Sequence, residues 1–195
     1  MNLDLTINTD LARQILTSFI RTELTRVGFS RAVIGLSGGI DSALSFALAV
    51  EALGRENVLA VRMPYRASAS DSLEHAEMLI EQFNAPFETV DITQMVEPLF
   101  GLDPDMSKQR KGNIMARERM IVLYDCSEAF KGLVVGTSNK TEILLGYSTL
   151  WGDMASALNP IGDLYKTQVR QLARAMGIPS VIVDKPPSAT MSTSW

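Results

Sequence analysis

The residues best suited to chemistry form one run, Ser37-Gly38-Gly39-Ile40-Asp41-Ser42, set between a short apolar segment and a helical pattern. Adjacent glycines let backbone N–H groups approach a ligand closely, and the positive end of a following helix favours an anion. Ser37 and Ser42 add hydroxyl donors, whereas the Asp41 carboxylate repels a phosphate unless a cation such as Mg²⁺ lies between them. The run therefore reads as a phosphate cradle that works with a metal. Two other readings compete. Gly35-Leu36-Ser37-Gly38-Gly39 also fits the G-x-S-x-G elbow of a serine hydrolase, but that chemistry needs a histidine late in the chain, and the sole histidine, His75, falls in mid-helix. A tight structural turn explains the glycines but leaves the flanking serines and aspartate without a purpose. The G-x-x-x-x-G-K-[ST] and G-x-G-x-x-G patterns are both absent.

The elements that must position this run follow from periodicity. Asp10 stands where an N-cap would, and Leu11, Ile15, Phe19, Leu24 and Val27 recur at helical spacing up to Gly28. Ala32 to Leu36 is a short apolar strand, Ser42 to Leu53 a helix closed by Gly54, and Val58 to Met63 a second strand. A helix opened by Ser70 or Asp71 runs to Asn84, and Phe87 to Asp91 makes a third strand. This βαβαβ order predicts an α/β fold: a doubly wound, mostly parallel, Rossmann-like sheet with helices on both faces. Thr93 to Arg110, punctuated by Pro98, Gly101 and Pro104, reads as a weakly patterned, partly mobile segment without a legible role. Ile114 to Phe130 is a helix, Leu133 to Val135 a fourth strand, and Leu164 to Met176 a helix closed by Gly177, with a long irregular stretch before it.

Composition narrows the function classes. At 195 residues with 46% hydrophobic and 21% charged side chains, residues 1–195 are expected to fold as one domain. A net charge of −4 offers no global basic field for nucleic acid. One cysteine, Cys126, excludes a disulfide framework and a multi-thiolate metal site, and fits a reducing compartment. Met1 to Asp10 lacks the apolar core of a signal peptide and no apolar stretch is long enough to span a bilayer, so a cytoplasmic location without a membrane partner is expected.

The second half offers partners for the cradle. Gly112-Asn113-Ile114-Met115-Ala116-Arg117-Glu118-Arg119-Met120 sets two cations near a helix start, against the dipole, which suggests anion recognition by Arg117 and leaves a surface carboxylate partner as the structural alternative for Arg119. Gly136-Thr137-Ser138-Asn139-Lys140-Thr141-Glu142 follows the fourth strand and faces the Ser37 loop if strands one and four are neighbours. Thr137 then supplies a hydroxyl, and Glu142 joins Asp41 in an oxygen shell for Mg²⁺. Gly146 to Asp153 and Asn159 to Lys166 are rich in glycine, amide and aromatic residues, a composition suited to building sites.

Ser-Gly-Gly-x-Asp-Ser resembles the pyrophosphate loop of the N-type ATP pyrophosphatases. Together with GNxxxRxRM, GTxNxxE, GYxTxxGD and NPIGDLYK in this order and spacing, the chain is similar to the NAD synthetase family of ammonia-dependent type. Met63-Pro64-Tyr65-Arg66 and Lys185-Pro186-Pro187-Ser188-Ala189 extend the match. The resemblance implies an adenine nucleotide alpha hydrolase-like fold and a homodimer. It also implies a ligase that adenylylates the nicotinate carboxylate of deamido-NAD with ATP and displaces AMP with ammonia. Carried over by position, Gly35, Leu36, Ser37, Gly38, Gly39, Ile40, Asp41, Ser42, Thr137, Lys166 and Ser188 would hold ATP. Asp41 and Glu142 would bind Mg²⁺, Arg117 would contact deamido-NAD, and Asp41 and Lys166 would carry the chemistry. Leu150 and Ala157 replace a lysine and an aspartate that contact deamido-NAD in some members. After Ala189 the family continues with a segment that helps close the site, so the resemblance implies a chain that binds ATP better than it turns it over. Cys126 lies inside the expected Ile114 to Phe130 helix as a structural thiol, which leaves free ammonia, or ammonia from a separate partner, as the nitrogen donor.

Overall fold

The computed structural model describes residues 4–67 and 70–186. Its chain order is α1 (Thr9–Arg26), β1 (Ala32–Gly35), α2 (Ile40–Leu53), β2 (Val58–Arg62), α3 (Ser70–Phe83), β3 (Phe87–Thr89), α4 (Thr93–Phe100), α5 (Lys108–Phe130), β4 (Leu133–Val134), α6 (Lys140–Leu145), α7 (Lys166–Ala175) and α8 (Ser180–Val183). The strands form one sheet in the order β3-β2-β1-β4, and every pairing is parallel. β1 pairs with both β2 and β4, so the direction of winding reverses at β1 and opens a crevice beyond its carboxyl end.

Alternation along the strands divides the core in two. Ala32, Ile34, Val58 and Ala60 face a cluster shared with α1, α2, α3, α7 and α8, in which Phe46, Leu44, Leu48, Leu79 and Leu172 are fully buried. Val33, Leu59 and Val61 face a second cluster closed by Val96 and Phe100 of α4 and by Val122 and Cys126 of α5. Helices thus cover both faces, which is why the strands read as uninterrupted apolar runs. α2 is buried on nearly all sides, because α1, α3 and α7 pack around it.

Several boundaries differ from expectation for local reasons. Asn8, rather than Asp10, caps α1 by accepting from Leu11 N at 3.0 Å, and Asp10 sits in the first turn. The segment 93–110 is largely ordered structure: α4 tolerates Pro98 because Val96 and Phe100 anchor it in the second core. α5 starts at Lys108, capped by Ser107, so Gly112 lies within the helix instead of preceding it. Arg117 and Arg119 are therefore well past its first turn, and the dipole argument for them fails. α7 begins at Lys166, where the Gln168 side chain accepts from Tyr165 N at 2.9 Å. No helix among the described residues is long and apolar enough to cross a membrane.

Candidate active site

The loop leaving β1 folds on itself before α2. Ser37 Oγ lies 3.0 Å from Ser42 Oγ and accepts from Gly39 N at 3.3 Å, while Ser42 Oγ donates to the Gly39 carbonyl at 2.9 Å. Gly38 adopts φ +74°, and a Cβ there would stand 2.1 Å from the Ser72 carbonyl oxygen at the start of α3. Only glycine satisfies both demands. Gly39 occupies the N-cap of α2 without a side chain to accept from the first-turn amides, which leaves a positive helix end facing the crevice. Leu36 and Ile40 are buried, and Leu36 N already donates to Val61 O at 2.9 Å, so their side chains shape the loop rather than meet a ligand. Gly35 ends β1, where the ladder gives way to the loop.

The loop leaving β4 meets this one, as adjacency of β1 and β4 requires. Asn139 is fully buried; its Oδ1 caps α6 by accepting from Glu142 N at 3.1 Å, and its Nδ2 donates to Asp41 Oδ1 at 2.9 Å. Glu142 completes the capping box by accepting from Asn139 N at 3.3 Å. Lys166 Nζ donates to Asp41 Oδ2 and stands 3.7 Å from Glu142 Oε1. A cation in the first turn of α7 opposes the dipole, and this contact supplies its compensation. The backbone holds Lys166 in place: Lys166 N donates to Thr141 Oγ1 at 3.0 Å and Lys140 N to Leu164 O at 2.9 Å.

Burial and the Asp41 charge push the Glu142 carboxyl above its ordinary value, while Lys166 and Asn139 offset part of the shift. Two carboxylates facing one ammonium remain short of positive charge. Among the described residues no group of three or more histidine, cysteine or acidic side chains could hold a metal. A two-carboxylate set nevertheless suits Mg²⁺, a hard ion that takes few protein oxygens and completes its shell with water and phosphate.

The structure thus brings Asp41, Glu142 and Lys166 together beside the Ser37–Ser42 loop. Thr137 follows β4 on the same edge, half-buried. Ser188 lies outside the described residues. Arg117 is elsewhere: exposed, it donates from Nε to the Leu150 carbonyl at 3.2 Å, beside a groove lined by Met120, Tyr124, Leu150, Trp151 and Met154. Among the described residues Arg119 pairs with no carboxylate; its Nε donates to the Met63 carbonyl at 3.1 Å. The serine-hydrolase reading fails on geometry, since among the described residues Ser37 bonds only within its loop and His75 is buried in α3.

Several motif residues do structural work instead. Thr149 Oγ1 donates to Asn113 Oδ1 at 2.9 Å and Thr149 N to Asp153 Oδ1 at 2.6 Å, lacing the 146–153 loop to α5. Asn159 Nδ2 donates to the Ser138 carbonyl at 2.9 Å, and Gly136 N to Leu158 O at 2.8 Å, so the NPIGDLYK segment is stitched to the loop after β4 and delivers Lys166. Asn139, which the sequence presents only as part of the GTxNxxE run, is the side chain that joins the two loops; the Asn-x-x-Glu spacing of a capping box is the local sign of its cap. Lys185, present in the sequence only as part of a matching run, has its Nζ 3.0 Å from Asp71 Oδ2 and 3.1 Å from Ser72 Oγ, pinning the turn of α3 that backs Gly38.

A family model described as NAD synthase matches residues 12–195. The chain belongs to the NAD synthase family. An NH(3)-dependent NAD(+) synthetase from Chlorobium phaeovibrioides is 60% identical over 188 residues, covering 96% of this chain and 68% of that protein. A similar protein from Chlorobaculum tepidum is 55% identical and matched over 65% of its length, so the chain spans about two thirds of these curated relatives. Among solved NAD synthase structures, the NH3-dependent NAD synthetase from Campylobacter jejuni, in complex with a nitrate ion, superposes with a TM-score of 0.88 at 36% identity, covering 94% of this chain and 80% of that one. An NMN synthetase from Francisella tularensis gives a TM-score of 0.89 at 33% identity, with 95% and 77% covered.

Proposed function

We propose that this chain is an ammonia-dependent NAD synthetase, a ligase that uses ATP to convert deamido-NAD to NAD with release of AMP and pyrophosphate. The observation that carries the reading is the convergence of Asp41, Glu142 and Lys166 on the helix-capped loop at the switch point between β1 and β4. The family membership supplies the reaction. The Ser37–Ser42 loop and the first turn of α2 receive the phosphates through backbone N–H groups. Mg²⁺, held by Asp41 and Glu142 when bound, screens the phosphate charge. Lys166, released from Asp41, serves as the point charge that stabilises departing pyrophosphate. The substrate carboxylate oxygen attacks the α-phosphorus as the bond to pyrophosphate breaks. Ammonia then attacks the acyl carbon, loses a proton, and expels AMP. No enzyme nucleophile is needed, so catalysis rests on positioning and on keeping water from the acyl-adenylate.

Thr137 and Ser188 belong to the ATP contacts in this reading, and Arg117 to those of deamido-NAD. The apolar groove beside Arg117, with Tyr124 and Trp151 exposed, supports a homodimer in which a second copy covers that face. A cytoplasmic location fits such substrates.

The test is to incubate the chain with deamido-NAD, Mg²⁺-ATP and ammonia while measuring NAD, AMP and pyrophosphate together, with the nicotinate mononucleotide as an alternative acceptor. Equimolar formation of all three from deamido-NAD is expected. Preference for the mononucleotide would reassign the acceptor, and absence of AMP with either acceptor would refute the ligase. Asp41→Asn should weaken Mg²⁺-ATP binding sharply; unchanged binding would sink the metal assignment.

A further inference from the structure

Arg119 carries a charge that the site described above does not use. It lies four residues before Leu123 on α5, one turn along the same face of the helix. Leu123 packs against Gly35, the last residue of β1: a Cβ added to Gly35 would stand 3.3 Å from Leu123 Cδ1. Farther down α5, just past its C-terminus, Gly132 lies against Arg31 and Ala32 at the opposite, amino end of β1. The helix therefore runs from the carboxyl to the amino edge of the sheet, and Arg119 stands nearer the carboxyl edge than Leu123. Its Nε donates to the carbonyl of Met63, the residue immediately after β2, at 3.1 Å. These contacts set the guanidinium beyond the carboxyl ends of β1 and β2, on the side of β1 opposite β4, whose following loop leads into α6 and Glu142.

One N–H of the guanidinium is satisfied by Met63, and among the described residues the two terminal NH₂ groups have no hydrogen-bond partner. Burial lowers the Arg119 pKa from its usual value with no carboxylate to offset it. A guanidinium taken partly out of water without an anion is unfavourable, and its planar fork suits a phosphate. Arg117 on the same helix differs, being exposed and tied to Leu150.

We propose that Arg119 contacts the α-phosphate of the bound nucleotide, and so holds the phosphorus that the substrate carboxylate attacks. This rests on the ATP reading above. The placement gives the phosphates two cationic poles, Lys166 on the β4 side for the pyrophosphate and Arg119 on the β2 side for the group that remains as AMP.

The experiment titrates adenosine, AMP, Mg²⁺-ATP and deamido-NAD into the wild-type chain, Arg119→Gln and Arg119→Lys, with thermal melting as the check on folding. AMP and ATP should each bind roughly ten- to hundred-fold more weakly to Arg119→Gln, with adenosine unchanged and Arg119→Lys between the two. If adenosine weakens as much as AMP, or AMP does not weaken, Arg119 is structural and the proposal falls. A loss confined to deamido-NAD would overturn the α-phosphate contact and place the dinucleotide pyrophosphate there instead. Wild-type chain that binds none of the nucleotides would refute the ATP reading itself, and the Arg119 contact with it.

Discussion

Asn139 joins the two loops of the site, and its two bonds can be separated by substitution. Its Oδ1 caps α6 while its Nδ2 donates to Asp41, and the residue has no exposed surface. Loss of a good N-cap costs about 1 kcal/mol, and loss of a hydrogen bond to a charged acceptor about 1.5–3 kcal/mol. Asn139→Ala forfeits both, about 3 kcal/mol in all, whereas Asn139→Ser keeps the cap and forfeits about 2 kcal/mol. At about 2–4 °C per kcal/mol for a chain of this size, thermal unfolding should drop by roughly 10 °C for alanine and roughly 6 °C for serine. Asn139→Asp retains the cap but sets a third carboxylate against Asp41 and Glu142, so its loss should be greatest at neutral pH and shrink as the acids protonate. Calorimetric melting of the four proteins between pH 5 and 8 provides the assay. A serine variant as stable as wild type would refute a stabilising contact with Asp41. Equal melting of the alanine and serine variants would show that the cap contributes nothing.

Gly38→Ala should lose about 1–2 kcal/mol from the positive φ alone and more from the clash with Ser72, and urea unfolding close to wild type would contradict the close approach of α3. In the native state the Glu142 carboxyl titrates above its ordinary range, so across that window the native state holds more protons than the unfolded chain and stability falls as pH rises. Glu142→Gln, which preserves the capping-box acceptor, should therefore melt no lower than wild type at neutral pH without metal, with a flatter pH dependence; a lower melting temperature there would reverse the sign. Ser37→Ala removes one hydroxyl from the loop network and should weaken ATP binding by roughly ten-fold, whereas loss of all turnover with ATP binding intact would return Ser37 to a nucleophile's role.

The sheet, its parallel sense and the loop after β1 were legible because their signals are local: apolar runs, helical spacing and a glycine pair flanked by serines. The elements missed had local signals that pointed elsewhere. Pro98 suggested a break, yet Val96 and Phe100 bury enough surface to hold α4, and Gly112 suggested a boundary that Ser107 had already set five residues earlier. The site itself depends on pairings with no local trace. Asn139 and Asp41 are separated by 98 positions and Lys166 and Asp41 by 125, so which carboxylate meets which donor follows only from the adjacency of β1 and β4. Arg119 illustrates the reverse case. Spacing alone leaves a surface carboxylate partner open, whereas the packing of α5 on β1 turns the side chain toward Met63 and the sheet edge.

The arrangement around Asp41 also explains why the site can be both preformed and responsive. Asp41 and Glu142 bring two negative charges together, and Lys166 balances one. Burial, and after it the Asp41 charge, raise the Glu142 pKa. Lys166 therefore does for Asp41 what a divalent cation would do in the proposed reaction, and the repulsion between the two cations sets them in competition for this carboxylate. In the proposed reaction, Asp41 and Glu142 would hold the cation that accompanies the nucleotide, and the Lys166 ammonium would then be available to the departing pyrophosphate. Asn139 stays on the other Asp41 oxygen and Thr141 on the Lys166 backbone, so the exchange requires movement of a flexible four-carbon stem and no rearrangement of the loops. A lysine suits that task better than an arginine, whose rigid fork would bind both carboxylates too well to leave.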